Sequence, residues 1–182
     1  MKEKLLVVFC TSSSDIDSKY NQAAREFVRA ACLSGYGIVS GGAVKGTMKI
    51  VADEAAACGA TNIGVIPRFM KGVEYPNLTE LKWTDTMAER KELMREGTCV
   101  AVALPGGIGT MDELAETFCL AKLGLYGGKI CALNLDGFYD PFKAQLDRYV
   151  ESGMMPEKDR RLISFPDTVE ELVKIIRNGG QK

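Results

Sequence analysis

The chain has 182 residues, of which 46% are hydrophobic, and it carries a formal net charge of −1. This length predicts one domain over residues 1–182 with a sizeable buried core, and the near-neutral charge gives no support for nucleic acid or an anionic membrane surface as a partner. The chain contains no histidine, which excludes a Ser-His-Asp triad, a Cys-His dyad and histidine-based metal sites within it.

The first apolar segment and the cysteines bear on the cellular compartment. The apolar run at residues 5–9 is too short for a signal-peptide core or a membrane span, so we expect a cytoplasmic protein with no membrane partner. Six cysteines lie far apart, with no CxxC pair, at Cys10, Cys32, Cys58, Cys99, Cys119 and Cys131. Most fall in apolar segments, so we expect buried thiols rather than disulfides or zinc ligands.

Strand-like and helix-like segments alternate along the chain. Short apolar runs predict strands at residues 5–10, 36–39, 61–66, 78–83, 99–104 and 129–135. Helical spacing predicts helices at residues 18–34, 47–58, 87–95, 111–123, 141–151 and 168–177. We expect an irregular segment at 68–77 and a frayed tail at 178–180. The alternation predicts an α/β fold with a doubly wound, mainly parallel sheet and helices on both faces.

Three polar or glycine-rich loops follow predicted strands, at residues 11–14, 40–47 and 105–110. Ligands of open α/β sheets bind beyond the carboxyl ends of the strands, so these loops can converge on one crevice. The first loop lacks the G-x-G-x-x-G pattern of a dinucleotide site. The second departs from a Walker A motif because Lys45 precedes Gly46 and Thr47 follows it. A P-loop NTPase is therefore not favoured. Two glycine-rich helix starts fit a mononucleotide better, with one phosphate at one of them, and a simple tight turn is the alternative interpretation of the loop at residues 40–47.

The stretch from Pro105 to Glu113 is the strongest functional motif. Its three glycines let the backbone approach a ligand closely, because no Cβ is in the way. Unpaired amides at the start of the following helix suit a phosphate. Thr110 adds a hydroxyl, and Glu113 lies on the first helical turn. A purely structural interpretation stays open, because glycines also make tight turns and a first-turn acid often only caps the helix.

The third predicted helix is strongly charged and carries Arg90 and Lys91. On spacing alone, a solvated face with ion pairs four residues apart is the simpler interpretation. Met87 and Met94 lie seven residues apart, and we expect both to face the core.

Four motifs in this order resemble the LOG (Lonely guy) family. They are Ser40-Gly-Gly…Gly46, Met87-x-x-Arg90-Lys91-x-x-Met94, Pro105-Gly-Gly-x-Gly-Thr-x-x-Glu113 and Leu133-Asn-Leu-Asp-Gly-Phe-Tyr139. The resemblance covers about residues 5 to 155. Members of the family are cytokinin riboside 5'-monophosphate phosphoribohydrolases and are often misnamed lysine decarboxylases. The resemblance implies a Rossmann-like fold, a homodimer or higher oligomer, and hydrolysis of a nucleoside 5'-monophosphate to free base and ribose 5-phosphate.

The family's site residues carry over onto matching positions. Arg90 and Glu113 match the catalytic pair, and Lys91 matches an adjacent lysine that contacts the substrate. Glu74 is matched, with a gap, to a glutamate that contacts the base or ribose. The other binding positions implied by the resemblance lie in the two glycine loops: Gly41, Gly42, Gly46, Gly106, Gly107, Ile108, Gly109 and Thr110.

The implied reaction is chemically reasonable with these side chains. Cleavage of a ribosyl C–N bond builds oxocarbenium character at the sugar, and the Glu113 carboxylate can stabilise that charge or activate water. Arg90 can hold the nucleotide or polarise the leaving base, and the sequence leaves these two roles open. We expect the reaction to need neither a metal nor a cofactor.

Departures from the family pattern leave the base preference open between adenosine monophosphate and a prenylated nucleotide. These departures are Thr11, Thr47, Lys49, Cys119 and a missing histidine near residues 125–129. A non-catalytic carrier of a nucleotide or of molybdenum cofactor is the alternative function, although a carrier has no need of Arg90 and Glu113 together. A lysine decarboxylase would require a pyridoxal phosphate lysine in a dedicated pocket and typically a much larger scaffold.

Overall fold

The computed structural model describes residues 4–178 and arranges them around a seven-stranded sheet. The strands are β1 (Lys4–Phe9), β2 (Tyr36–Ser40), β3 (Asn62–Pro67), β4 (Glu80–Thr84), β5 (Thr98–Ala103), β6 (Lys129–Ala132) and β7 (Ile163–Ser164). Their order is β4-β3-β2-β1-β5-β6-β7, and every neighbouring pair is parallel. The predicted doubly wound, Rossmann-like α/β fold is confirmed.

Helices cover both faces of this sheet. They are α1 (Ser18–Leu33), α2 (Gly46–Ala57), α3 (Met87–Arg95), α4 (Ile108–Lys122), α5 (Asp140–Glu151), α6 (Glu157–Arg160) and α7 (Val169–Arg177). The central strand β1 shows the two layers directly. Its Leu6 and Val8 pack in one buried cluster with Phe27 of α1, and its Val7 and Phe9 pack in another with Leu114 of α4. A strand buried on both faces reads as a continuous apolar run, which is why β1 was visible in the sequence.

Several local expectations differ from the structure. The short elements α6 and β7 were not predicted, because four and two residues are too few to show a periodicity. Met94 is 1% exposed as expected, but Met87 is 40% exposed and does not face the core. All six cysteines are free, yet Cys58 and Cys119 are exposed rather than buried. Of the tail expected at 178–180, residues 179 and 180 lie outside the described residues.

The sheet has its switch in strand order at β1, because β2 to β4 lie on one side of it and β5 to β7 on the other. In such sheets the crevice beyond the carboxyl ends of the strands at the switch point is the usual ligand site. The loops that follow β1, β2 and β5 therefore begin side by side. Within residues 4–178, no helix is both long and apolar enough to cross a bilayer.

Candidate active site

A cavity of about 480 Å³ lies where the loops after β1, β2 and β5 meet. The polar, charged and small residues of its lining are Cys10, Thr11, Ser12, Gly41, Ala43, Lys45, Arg90, Gly107, Gly109, Thr110 and Glu113. The apolar residues of its lining are Met48, Ile66, Pro67, Met70, Val73, Met87 and Ile108. The three loops thus converge on one crevice, and its lining offers contacts both to a charged group and to an apolar one.

Arg90 and Glu113 meet in this cavity although they lie 23 positions apart in the sequence. Arg90 on α3 is 7% exposed, and Glu113 on α4 is 4% exposed. The Arg90 Nη1 donates to Glu113 Oε1 at 3.0 Å, and the Arg90 Nε donates to the Val65 carbonyl at 3.0 Å. A Cβ on Gly41 would clash with the Arg90 guanidinium, so the glycine at this position gives the arginine its room. The charged helix is therefore not merely a solvated face.

The Glu113 carboxyl is held between two opposing effects. Burial disfavours its charged form, and the Arg90 guanidinium favours it. Burial prevails and raises the pKa of Glu113 to about 7. Both protonation states of this carboxyl are therefore populated near neutral pH, which is the condition under which a side chain serves well in acid–base chemistry.

The first turn of α4 lines the cavity beside Glu113. Its N-cap residue is Gly107, which makes no side-chain cap hydrogen bond, so the amides of this turn can serve a ligand. A Cβ on Gly107 or Gly109 would meet nothing within 4 Å, which leaves open space above the turn. A Cβ on Gly106 would instead clash with Thr110, so this glycine is required for packing.

In the second glycine loop, Gly42 and Gly46 shape the backbone and do not line the cavity. Gly42 and Gly46 have φ values of 68° and 54°, which favour glycine. A Cβ on Gly42 would approach the Gly64 backbone, and one on Gly46 would clash with the backbone of Ser12 and Ser13. Neither Gly42 nor Gly46 lines the cavity, and the same holds for Gly106.

Two further residues of the predicted site lie outside the cavity lining. Lys91 pairs with Asp112 at 3.0 Å and with Glu116, so it ties α3 to α4 beside the Arg90–Glu113 pair. Glu74 forms an isolated bridge with Ala43, and its carboxylate accepts a hydrogen bond from the Gly72 amide. Both residues therefore support elements that carry the site.

The motif at residues 133–139 contacts the chain segment that leads into the glycine loop before α4. The Asn134 side chain accepts from the Tyr139 amide at 2.8 Å and donates to Asp140 and Asp167. The buried Tyr139 hydroxyl donates to the Leu104 carbonyl at 2.8 Å. This contact fixes the chain just before the glycine loop enters α4.

Except for Ile108, the apolar residues of the cavity lining were not among the predicted site residues, and neither were the polar residues Cys10 and Lys45. Met70 and Val73 come from the irregular segment, where no motif marked them, and Met87 was assigned to the core on its spacing. Cys10 is a buried thiol whose pKa is raised by burial, so it stays neutral in the cavity. Lys45 was noted only as a departure from a Walker motif, yet it lines the same cavity.

A second, larger groove of about 980 Å³ lies on the other side of α3, between Trp83 and Tyr126. It is lined by neither Arg90 nor Glu113, and by no residue of the glycine loops. The chemistry-bearing residues therefore place the candidate active site in the smaller cavity.

Comparison with known proteins shows which proteins this chain resembles. A family model described as "Possible lysine decarboxylase" matches residues 48–176. The cytokinin riboside 5'-monophosphate phosphoribohydrolase LOG of Oryza sativa subsp. japonica is 35% identical over 170 residues, covering 92% of this chain and 70% of that relative. The cytokinin riboside 5'-monophosphate phosphoribohydrolase LOG4 of Arabidopsis thaliana is 34% identical over 171 residues, covering 93% and 80%.

Solved structures show the same fold at lower identity. The molybdenum cofactor carrier protein of Chlamydomonas reinhardtii aligns with a TM-score of 0.75 at 18% identity, and the molybdenum cofactor binding protein of Rippkaea orientalis with a TM-score of 0.74 at 16% identity. Each alignment covers 98% of both chains. At this identity the likeness extends to the fold alone, whereas the two plant relatives share sequence over most of the chain. On that sequence similarity, the chain belongs to the LOG family.

Proposed function

We propose that this protein hydrolyses the N-glycosidic bond of a nucleoside 5'-monophosphate and releases the free base and ribose 5-phosphate. The observation that carries the proposal is the buried Arg90–Glu113 pair, which lies in the cavity next to the helix N-terminus of α4. The names of the plant relatives, which describe phosphoribohydrolases of cytokinin riboside 5'-monophosphates, support the same reaction.

The polar and the apolar residues of the cavity lining suit the two ends of such a nucleotide. The amides of the first α4 turn and the helix dipole favour the 5'-phosphate. The apolar lining residues Met48, Ile66, Met70 and Met87 offer a flexible surface to the base. Glu113 lines the same cavity, so its carboxylate is available to the ribose that joins the phosphate to the base.

In the reaction, the bond between the anomeric carbon and the base nitrogen breaks, and water adds across it. The hydroxyl goes to the sugar, and the departing base takes up a proton. Ionised Glu113 stabilises the positive charge that develops on the sugar or accepts a proton from the attacking water. Arg90 orients Glu113 through their hydrogen bond and can donate to the nucleotide.

The three methionines of the cavity lining support a purine base as the ligand, including one with an apolar substituent, because methionine side chains adapt to ligands of different shape. We therefore propose adenosine monophosphate and prenylated adenine nucleotides as the first substrates to test. A homodimer and a cytoplasmic location stay predictions from the family resemblance and the sequence.

The test is a panel of nucleoside 5'-monophosphates with purine, pyrimidine and N6-prenylated adenine bases. Release of free base and ribose 5-phosphate is followed by chromatography, with the corresponding nucleosides as controls for the phosphate requirement. Equimolar base and ribose 5-phosphate from at least one nucleotide is the expected result. Tight binding without turnover of any nucleotide would overturn the proposal and favour the carrier function.

A further inference from the structure

The positive and negative charges of the side chains that line the active-site cavity do not cancel. Among the described residues, the lining contains three charged side chains: Arg90, Glu113 and Lys45. Arg90 and Glu113 pair with each other at 3.0 Å. Lys45 is exposed and has no ion-pair partner within residues 4–178. The cavity therefore keeps a positive charge, and this charge increases when Glu113 binds a proton.

The backbone of Lys45 is held firmly while its side chain is free. Lys45 is the N-cap residue of α2, with an extended backbone at φ −129° and ψ 147°, and its side chain does not cap the helix. The next residue, Gly46, packs against the backbone of Ser12 and Ser13, and the Met48 amide donates to the Thr11 carbonyl at 3.3 Å. These contacts fix α2 against the loop after β1. The ammonium group is thus tethered at the cavity without being used by the protein itself.

A phosphate is the group that matches this free charge. The base and the ribose of the proposed substrate are neutral, whereas a phosphate monoester carries about −1.5 to −2 charges at pH 7. A helix N-terminus supplies only about half an elementary charge. The first α4 turn lines the same cavity, and the Thr110 hydroxyl there has no hydrogen-bond partner among the described residues. The helix alone leaves most of the phosphate charge unmatched, and Lys45 supplies a full charge.

We propose that Lys45 binds the 5'-phosphate of the substrate together with the N-terminus of α4, and so makes the enzyme select nucleotides over nucleosides. This inference rests on the proposed function, because it concerns how the same cavity recognises the phosphate of its substrate. The Arg90–Glu113 hydrogen bond forms without Lys45. It acts through binding, and its removal must therefore weaken phosphorylated ligands selectively.

The experiment measures binding of ribose 5-phosphate and of adenosine by calorimetry in wild type, Lys45→Met and Lys45→Arg. Lys49→Met is the matched control, because Lys49 lies one turn further along α2, pairs with Asp53 and does not line the cavity. Lys45→Met is expected to raise the Kd for ribose 5-phosphate about tenfold and to reduce its salt dependence, since a charge-assisted contact is lost. Adenosine binding is expected to stay unchanged, and Lys45→Arg to bind nearly as wild type does.

Two results would overturn the inference. One is no binding of ribose 5-phosphate to wild type, and the other is an equal Kd and equal salt dependence in wild type and Lys45→Met. The kinetic constants separate this inference from the proposed function. If wild type hydrolyses nucleotides and Lys45→Met keeps the same KM, only the role of Lys45 is wrong. If wild type hydrolyses none, the proposed function is wrong, whatever the binding experiment shows.

Discussion

Replacing Glu113 with glutamine should change how the stability of the protein depends on pH. In the folded protein burial raises the pKa of Glu113 from 4.5 to about 7, and unfolding returns it to the solvent value. Between these values the folded state holds the proton more tightly than the unfolded state does. The stabilisation that protonated Glu113 provides is thus fully present below about pH 4.5 and is lost as the pH rises through about 7.

The size of the effect follows from this difference in pKa. A difference of about 2.5 units corresponds to about 3 kcal/mol, because each unit is worth about 1.4 kcal/mol. Glutamine does not titrate. The free energy of unfolding of wild type, minus that of Glu113→Gln, should therefore fall by about 3 kcal/mol between about pH 4.5 and 8.

The assay is urea unfolding of both proteins, followed by circular dichroism at steps of pH across this range. Taking the difference between the two proteins removes the contributions of titrating groups that do not interact with Glu113. Glu92→Gln is the control, because Glu92 is an exposed carboxyl on the neighbouring helix α3 and its charge should matter little to stability. A difference between wild type and Glu113→Gln that is flat with pH, or that grows as pH rises, would refute the reasoning.

Two further predictions concern activity. The kcat/KM for a nucleotide should rise about tenfold per pH unit up to about pH 7 and then level off, because the reaction needs ionised Glu113. A 5'-phosphorothioate nucleotide, whose phosphoryl group is more acidic, should show the same midpoint in its pH profile. A midpoint that shifts with the acidity of the phosphoryl group would contradict the assignment to Glu113. Gly41→Ala should lower kcat/KM about 10²-fold, because the new Cβ displaces the Arg90 guanidinium. Gly127→Ala, where a Cβ meets nothing within 4 Å, is the control, and equal activities of the two variants would argue against a positioned Arg90.

The fold could be predicted from the sequence because its signals are local and repeated. The central strands β1 and β5 are short apolar runs, and each is followed by a polar or glycine-rich loop. Parallel sheets with helices on both faces must bury such strands completely, so the pattern and the architecture determine each other. The edge strand β7 could not be predicted from the sequence, because it has only two residues and these pair with β6 only in the completed fold.

The site was predicted only where a motif marked it. The burial of Arg90 could not be derived from α3, whose sequence is as charged as a solvated helix. It depends on the Val65 carbonyl and on the space that Gly41 leaves, both supplied by other parts of the chain. The prediction that Met87 faces the core was wrong for a related reason. A spacing of seven residues indicates that Met87 and Met94 lie on the same side of the helix, but it does not indicate how far along the helix that side is covered by the sheet.

The position of Lys45 in the cavity lining could not be predicted from the sequence for a different reason. A lysine in a loop normally reads as a solvated surface charge. Its position at the cavity follows from the packing of Gly46 against the loop after β1, a contact between distant parts of the sequence. Such a residue is not found by its motif, because Lys45 departs from the Walker A pattern instead of matching it.

The most direct test of the central claim compares wild type with Glu113→Gln for both nucleotide binding and release of ribose 5-phosphate in a single turnover. Glu92→Gln, which changes an exposed carboxyl of α3 outside the cavity lining, is the control. If Glu113 carries the chemistry, the glutamine variant should bind the nucleotide about as tightly as wild type does and release ribose 5-phosphate about 10²–10⁴-fold more slowly. Turnover at the wild-type rate, or a loss of binding that accounts for the whole loss of turnover, would contradict the claim.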